Sequence, residues 1–278
     1  MNATPVFTEQ DFRQIYDLVY RRFGIYLSPQ KRSLVFSRLL HLVRVHGFKS
    51  FAEYIRYVQN DSSGRALMAL ADYISTNHTY FNRENSHFEF LRHTAIPFWL
   101  DKLQQTHPKE KMRVWSAGCS SGEEAYQLAM LFHEMLGGIF ARQQAAVLAT
   151  DISRAMLKKA EKGIYADENV KRLPMNLIQK YFVRLNENQW QVKPFLKEMI
   201  LFRRQNLVEP VYPFKRKFHT ILCRNVMIYF DKKTREQVVE KFARYLENGG
   251  FLVLGLAEVL PIKNSYFEYV QPAVYMRK

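Results

Sequence analysis

The chain has 278 residues, 47% of them hydrophobic and 24% charged, which is enough apolar material for two modest domains or one large one. Its 41 Lys and Arg against 26 Asp and Glu give a formal charge of +15, so polyanions and acidic protein surfaces are both plausible partners, and charge alone does not choose between them. Cys119 and Cys223 lie far apart with no metal spacing, no apolar run reaches the length of a membrane span, and MNATPVFTEQDF lacks the basic and apolar regions of a signal peptide. A reduced cytoplasmic protein is expected, with no disulfide, metal or membrane insertion.

Thr8-Glu-Gln-Asp11 reads as a capping box with Phe7 and Phe12 at staple positions, opening a helix that stops near Gly24. Ser28-Pro29 opens a second helix ending at Gly47. Val35, Leu39, Leu42 and Val43 form its buried stripe, and Lys31, Arg38, His41 and Arg44 fall largely away from it. That basic face is either a solvated surface or a docking surface for an acidic partner helix. Ser50-Phe-Ala-Glu53 is a second capping box, for a helix through about Gln59; Asn60 to Gly64 is a turn, and Arg65 to about Ile74 is helical again. An all-helical domain over residues 1–74 is expected, followed by a linker over 75–90 whose Tyr80 and Phe81 suggest packing. Helical character resumes over His87 to Leu103, interrupted at Pro97.

Met112 to Ala117 has strand composition, Gly118-Cys-Ser-Ser-Gly122 is a small-residue turn, and Ala125, Leu128, Ala129, Leu131 and Phe132 recur at helical spacing. A strand, a tight glycine loop and a helix let backbone approach a ligand at the carboxyl end of a strand. The spacing is not G-x-G-x-x-G. Glu123 and Glu124 in the first helical turn repel phosphate while suiting the helix dipole and a ligand with cationic or hydroxyl groups; S-adenosylmethionine, with its sulfonium, ammonium and ribose, fits. Ala145 to Thr150 is a second strand ending at Asp151, placed either to bond ribose hydroxyls or to cap the helix Ser153 to Lys162.

Residues 171–199 read as a small inserted subdomain, partly β, with strands at Tyr181 to Val183 and Gln189 to Val192 and an edge suited to peptide docking. Ile200 to Arg204 rejoins the main sheet ahead of Asn206-Leu207, and Phe218 to Cys223 is a buried strand running into Arg224-Asn225. A helix over Asp231 to Glu247 closed by Asn248-Gly-Gly250, a strand from Phe251 to Leu256, and a hairpin of Tyr266 to Val270 with Ala273 to Met276 complete the chain. The expected fold class is α/β: a doubly wound, mostly parallel sheet over 91–278 with one antiparallel strand near its edge, preceded by the helical domain. Gly118 to Gly122, Asp151, Asn206 and Arg224 to Tyr229 then converge at strand ends on one crevice.

TNHTYFNRE at Thr76 to Glu84, SAGCSSGEEAY at Ser116 to Tyr126, ATDIS at Ala149 to Ser153, KGIY at Lys162 to Tyr165, CRNVMIYFD at Cys223 to Asp231 and NGGFLVLG at Asn248 to Gly255 follow one another over nearly the whole chain. In these stretches it resembles the CheR family of chemotaxis receptor methyltransferases, which transfer the methyl of S-adenosylmethionine to receptor glutamates and release S-adenosylhomocysteine. The resemblance implies a linker that contributes Asn77, Thr79 and Arg83 to the cofactor site, a glycine loop with Gly118, Glu123 and Glu124 around the methionine moiety, and Asp151 on the ribose. It also implies Asn206 and Leu207 by the adenine, Arg224 and Asn225 completing the wall, and Arg83 and Tyr229 nearest the transferred methyl. Its implied partner is the cytoplasmic helical region of methyl-accepting receptors, approached by a monomer. Two departures stand out. The family's Phe-Phe-Arg-Glu is here Phe81-Asn82-Arg83-Glu84, and the subdomain loop Arg184 to Gln189 is short and lacks glycine. Members that tether to a receptor C-terminal pentapeptide carry a longer, glycine-containing loop, so independence of that tether is expected.

A nucleic-acid methyltransferase, suggested by the charge, is opposed by the lack of an Asn/Asp-Pro-Pro-Tyr motif. A non-catalytic scaffold is opposed by the intact Arg83, Asp151, Asn225 and Tyr229.

Overall fold

A computed structural model describes residues 5–74, 77–137, 141, 143–260 and 265–278; Ser75 and Thr76, the first two residues of the expected linker, lie outside the described residues. The chain forms two compact units, Met1–Thr76 with Tyr229–Arg235, and Asn77–Ile228 with Glu236–Lys278.

In the first unit, helix α1 (Glu9–Phe23) starts as its sequence dictates: the Thr8 hydroxyl accepts the Asp11 N–H at 3.1 Å, and Asp11 accepts the Thr8 N–H at 2.8 Å. Gly24 closes it at φ 69°. Phe12, Ile15, Val19 and Phe23 bury one stripe. The second helix differs from expectation at its start. Pro29–Lys31 is a 3-10 turn, and Lys31 N–H bonds the Ser28 carbonyl at 2.9 Å while the Ser28 hydroxyl makes no cap bond. Helix α2 follows over Arg32–Val45, burying Val35, Leu39, Leu42 and Val43. In α3 (Phe51–Asn60) only half the capping box forms: Ser50 accepts the Glu53 N–H, but the Glu53 carboxylate takes Lys49 N–H at 2.7 Å. The Asp61 carboxylate caps α4 (Arg65–Ile74) by accepting Ala66 N–H at 2.6 Å. The returning segment Tyr229–Arg235 belongs to this unit through a bridge between Ile25 and Phe230, Tyr26 N–H on the Tyr229 carbonyl at 2.8 Å, and Tyr20 hydroxyl on Asp231 at 2.6 Å.

The second unit begins with α5 (Ser86–Phe90), a π-helical turn (Leu91–Ala95) and α6 (Ile96–Thr106). Pro97 has no N–H to donate and sits in the first turn of α6, directly after the widened turn, which is how the expected interruption is accommodated. Strand β1 (Met112–Ala117), helix α7 (Glu123–Leu136), β2 (Ala145–Asp151) and α8 (Arg154–Lys162) follow. The insert holds β3 (Ile164–Ala166), α9 (Asp167–Val170), α10 (Met175–Tyr181), β4 (Phe182–Asn186), β5 (Gln189–Val192) and α11 (Pro194–Lys197). Its antiparallel sheet runs β3-β5-β4 and so begins at Ile164, ahead of the expected 171–199.

The chain then supplies β6 (Ile200–Arg204), β7 (Phe218–Cys223), α12 (Lys232–Tyr245), β8 (Leu246–Leu254), β9 (Phe267–Gln271) and β10 (Val274–Arg277). The helix ends and the strand begins earlier than the glycines suggest. Leu246 pairs with Phe218, and the Arg277 guanidinium takes the Leu246 carbonyl, drawing Asn248-Gly-Gly250 into β8. The sheet order is β6-β2-β1-β7-β8-β10-β9, parallel throughout except that β10 runs against its neighbours. Trp115 in β1 anchors the core: its indole N–H bonds Thr150 Oγ1 at 2.8 Å, and the rings of Tyr212, Phe214, Phe218 and Phe242 surround it at 4.9–5.4 Å. Strand order reverses between β1 and β7, and at that switch point an open α/β sheet leaves a crevice beyond its carboxyl ends.

Candidate active site

The loop after β1 is shaped by its two glycines. Gly118 (φ 90°) and Gly122 (φ 95°) are left-handed, and a Cβ on them would come within 2.4 Å of Val226 Cγ2 and 2.8 Å of Ala160 Cβ. Gly118 and Cys119 N–H both donate to the Thr150 carbonyl, at 2.7 and 2.9 Å, which folds the loop over the end of β2. Asp151, 7% exposed, closes it: one carboxylate oxygen accepts Ser120 N–H and the other Ser153 N–H, both at 2.8 Å. Asp151 therefore links the glycine loop to the start of α8, where the Ser153 hydroxyl is the cap. The capping role that the sequence also offered for Asp151 thus falls to Ser153, with Asp151 one step removed through its bond to the Ser153 N–H.

Arg224 stands across the switch point, at the end of β7, with its side chain 3% exposed. Its guanidinium meets Glu124 at 3.0 Å and Glu84 at 3.3 Å, donates to the Arg83 carbonyl, and lies 5.4 Å over the Phe88 ring. Glu124 also accepts the Ser116 hydroxyl at 2.6 Å. One buried cation thus holds the linker, the glycine-loop helix and the β7 end together, each bond being charge-assisted in a water-poor setting. Glu84 accepts Asn225 Nδ2 at 3.2 Å and Leu256 N–H at 3.3 Å; despite its burial, these donors and Arg224 hold its carboxyl pKa below the ordinary value. His87, 1% exposed and 3.4 Å from Glu84, stays neutral because burial and Arg224 lower its pKa to about 4.

The expected residues differ in where they point. Glu123 is 2% exposed and accepts the Ser121 hydroxyl at 2.7 Å, with its pKa raised by burial. Asn77 and Thr79 are half-buried, and the Ser120 hydroxyl approaches the Asn77 carbonyl at 3.5 Å. Arg83 is half-buried and donates to the His78 carbonyl at 2.6 Å. Asn82 is exposed at φ 63°, a left-handed conformation that asparagine tolerates far better than phenylalanine, and its N–H donates to Gln127. The departure Phe81-Asn82 therefore leaves Phe81 fully buried while its neighbour turns the chain. Asn206 and Leu207 are buried beyond β6; Asn206 accepts Val208 N–H at 3.2 Å, and the Leu207 carbonyl takes the Tyr212 hydroxyl at 2.8 Å and the Lys241 ammonium at 2.6 Å.

Glu258 carries no signal in the sequence, yet it organises the far wall. It is 5% exposed and accepts the N–H groups of Gly255 (2.7 Å), Asn225 (2.8 Å) and Ile228 (3.1 Å), holding Asn225 at φ 58°. Burial raises its carboxyl pKa against the pull of these backbone donors.

Tyr229 falls in the other compact unit, half-buried, with the Lys31 ammonium 5.6 Å over its ring. Of the other basic residues expected to dock a partner, Arg38 is half-buried and donates to the Ile74 carbonyl, the His41 ring lies tilted at 5.9 Å from Tyr73, and Arg44 is exposed. Arg38 thus caps α4 and is not a freely solvated charge.

Three carboxylates, Glu84, Glu124 and Asp151, gather at these strand ends against one arginine, Arg224, which two of them already neutralise, a balance that suits a cationic ligand bearing hydroxyls. Residues 77–276 match the family described as CheR methyltransferase, SAM binding domain, and residues 10–75 match CheR methyltransferase, all-alpha domain. The chain is 42% identical over 270 residues to a chemotaxis protein methyltransferase of Borreliella burgdorferi, covering 97% of this chain and 95% of that protein. It is 34% identical over 261 residues to the chemotaxis protein methyltransferase of Escherichia coli (93% and 87%), and 33% identical over 263 residues to chemotaxis protein methyltransferase 2 of Vibrio cholerae (94% and 90%).

Proposed function

Since the chain belongs to the CheR methyltransferase family and carries its S-adenosylmethionine-binding domain, we propose that it methylates glutamate side chains of chemotaxis receptors, giving glutamyl methyl esters. The observation that carries this reading is the gathering of the linker, the glycine loop, Asp151 and Arg224-Asn225 at one sheet switch point, in a chain related end to end to chemotaxis methyltransferases. When bound, the cofactor supplies a methyl group already activated on a sulfonium. The protein's share is then binding and orientation. A glutamate with a pKa of about 4.3 is ionised at neutral pH, so no general base is required. The site must align the carboxylate and strip its water without pairing it so tightly that it cannot attack.

On this reading Asp151 takes the ribose, Asn206 and Leu207 line the adenine, and Asn77, Thr79, Arg83, Gly118, Glu124, Arg224 and Asn225 enclose the rest. Glu123 holds the loop. Arg83 and Tyr229 position the reacting groups and transfer no proton. The exposed His41 and Arg44 of α2, with Lys31 of the preceding turn, receive the receptor's acidic helices, and the protein acts as a cytoplasmic monomer with no nucleic-acid substrate. The β4–β5 connection is a tight turn at Glu187-Asn188, closed by Asn188 N–H on Asn186 at 2.9 Å, which supports independence of a pentapeptide tether. The test is transfer of tritiated methyl from S-adenosylmethionine to a receptor cytoplasmic fragment. Label released by mild base supports an ester; base-stable label on nucleic acid, or none, refutes it.

A further inference from the structure

Tyr80 in the linker carries two guanidinium groups over one ring: Arg172, from the turn between α9 and α10, at 4.3 Å from the centroid, and Arg83 at 5.7 Å. The linker is fixed there because Phe81 is fully buried, edge-on to Tyr165 at 5.0 Å and Phe182 at 5.6 Å in the insert. Among the described residues neither Arg83 nor Arg172 has a carboxylate within ion-pair distance. The neighbouring Lys171 is paired with Asp167 at 2.5 Å, and Arg224 has two carboxylates. Two like charges on one ring repel, and the ring face offsets only part of that. An anion that reaches both offsets the repulsion and gains charge-assisted hydrogen bonds, with the Arg83 fork already held by the His78 carbonyl at 2.6 Å.

We propose that Arg172, with Arg83 and Tyr80, forms a binding site for a carboxylate side chain of the protein substrate, one that flanks the glutamate to be methylated. This rests on the function proposed above and adds a residue that selects the substrate. Arg172 is exposed, so its contribution lies in docking and in salt-dependent encounter.

The test compares wild type, Arg172→Ala and Arg172→Lys for methylation and calorimetric binding of a receptor cytoplasmic fragment. At low salt, Arg172→Ala is expected to raise both the KM and the Kd for the fragment about tenfold, leaving kcat within twofold and S-adenosylmethionine affinity unchanged, with Arg172→Lys in between. The difference shrinks at high salt. A fragment whose flanking acidic residues are changed to Gln lowers wild type to the level of Arg172→Ala and leaves the variant unmoved. Wild-type transfer with KM and Kd unmoved in Arg172→Ala, or additive effects in the cycle, overturns this assignment alone. A wild-type enzyme that neither binds nor methylates the fragment overturns the function and this assignment together.

Discussion

Replacing Glu258, itself only 5% exposed, by Ala removes the acceptor of three backbone N–H groups at 2.7, 2.8 and 3.1 Å. An unsatisfied buried donor costs about 1–3 kcal/mol, and partial entry of water into the vacated volume brings the expected total to about 3–5 kcal/mol. Local relaxation by the backbone is restricted, because Gly255 is packed so closely that even a Cβ would meet Asn225 Nδ2 at 2.6 Å. Glu258→Gln keeps one oxygen in place but turns an NH2 toward an N–H donor, for a loss of about 1–2 kcal/mol. Urea unfolding measures both, and calorimetry with S-adenosylhomocysteine reads the second consequence, a weaker cofactor site as Asn225 leaves φ 58°. A loss under about 0.5 kcal/mol for the Ala variant, with cofactor affinity intact, would refute the idea that this carboxylate builds the far wall.

Arg83→Ala and Tyr229→Phe should each lower kcat more than tenfold with melting temperatures near wild type; wild-type turnover in both removes them from the reaction. His87 and His219 are 1% exposed, with pKa values lowered from 6.5 to about 4, mainly by burial. Between those values the unfolded chain binds more protons than the folded one. Stability therefore falls as pH drops, by about 2 kcal/mol for each histidine between pH 7.5 and 5, and denaturant midpoints that stay flat over this window contradict it. Receptor fragments lacking the C-terminal pentapeptide should be methylated as fast as intact ones, and tight calorimetric binding of the free pentapeptide would sink that expectation.

The strand, glycine loop and helix around Gly118 to Gly122 are legible in the sequence because apolar spacing and small residues are local signals, and the same holds for Asp151 at its strand end and for the α1 and α2 stripes. What the sequence does not reveal is how the charges pair. Arg224 reaches Glu84 across 140 positions and Glu124 across 100, and no spacing rule foretells which carboxylates a buried arginine collects. Glu258 sits in an aperiodic segment and acts on backbone groups, so neither composition nor period marks it. Glu123 is a second case: the sequence places a carboxylate in the first helical turn but gives no sign that it is 2% exposed and bonded by the Ser121 hydroxyl. Asn248-Gly-Gly250 reads as a helix stop, but pairing of Leu246 with Phe218 carries the strand through it. At β8 a long-range strand partner overrode a correct local preference.

The most direct measurement is mass spectrometry of a receptor cytoplasmic fragment after incubation with the purified protein and S-adenosylmethionine. A mass gain of one methyl on peptides containing glutamate, abolished by mild alkali and accumulating more than tenfold more slowly with Arg83→Ala, is the expected result. Unmodified glutamates under conditions where the protein binds S-adenosylhomocysteine would contradict a protein carboxylate as the substrate.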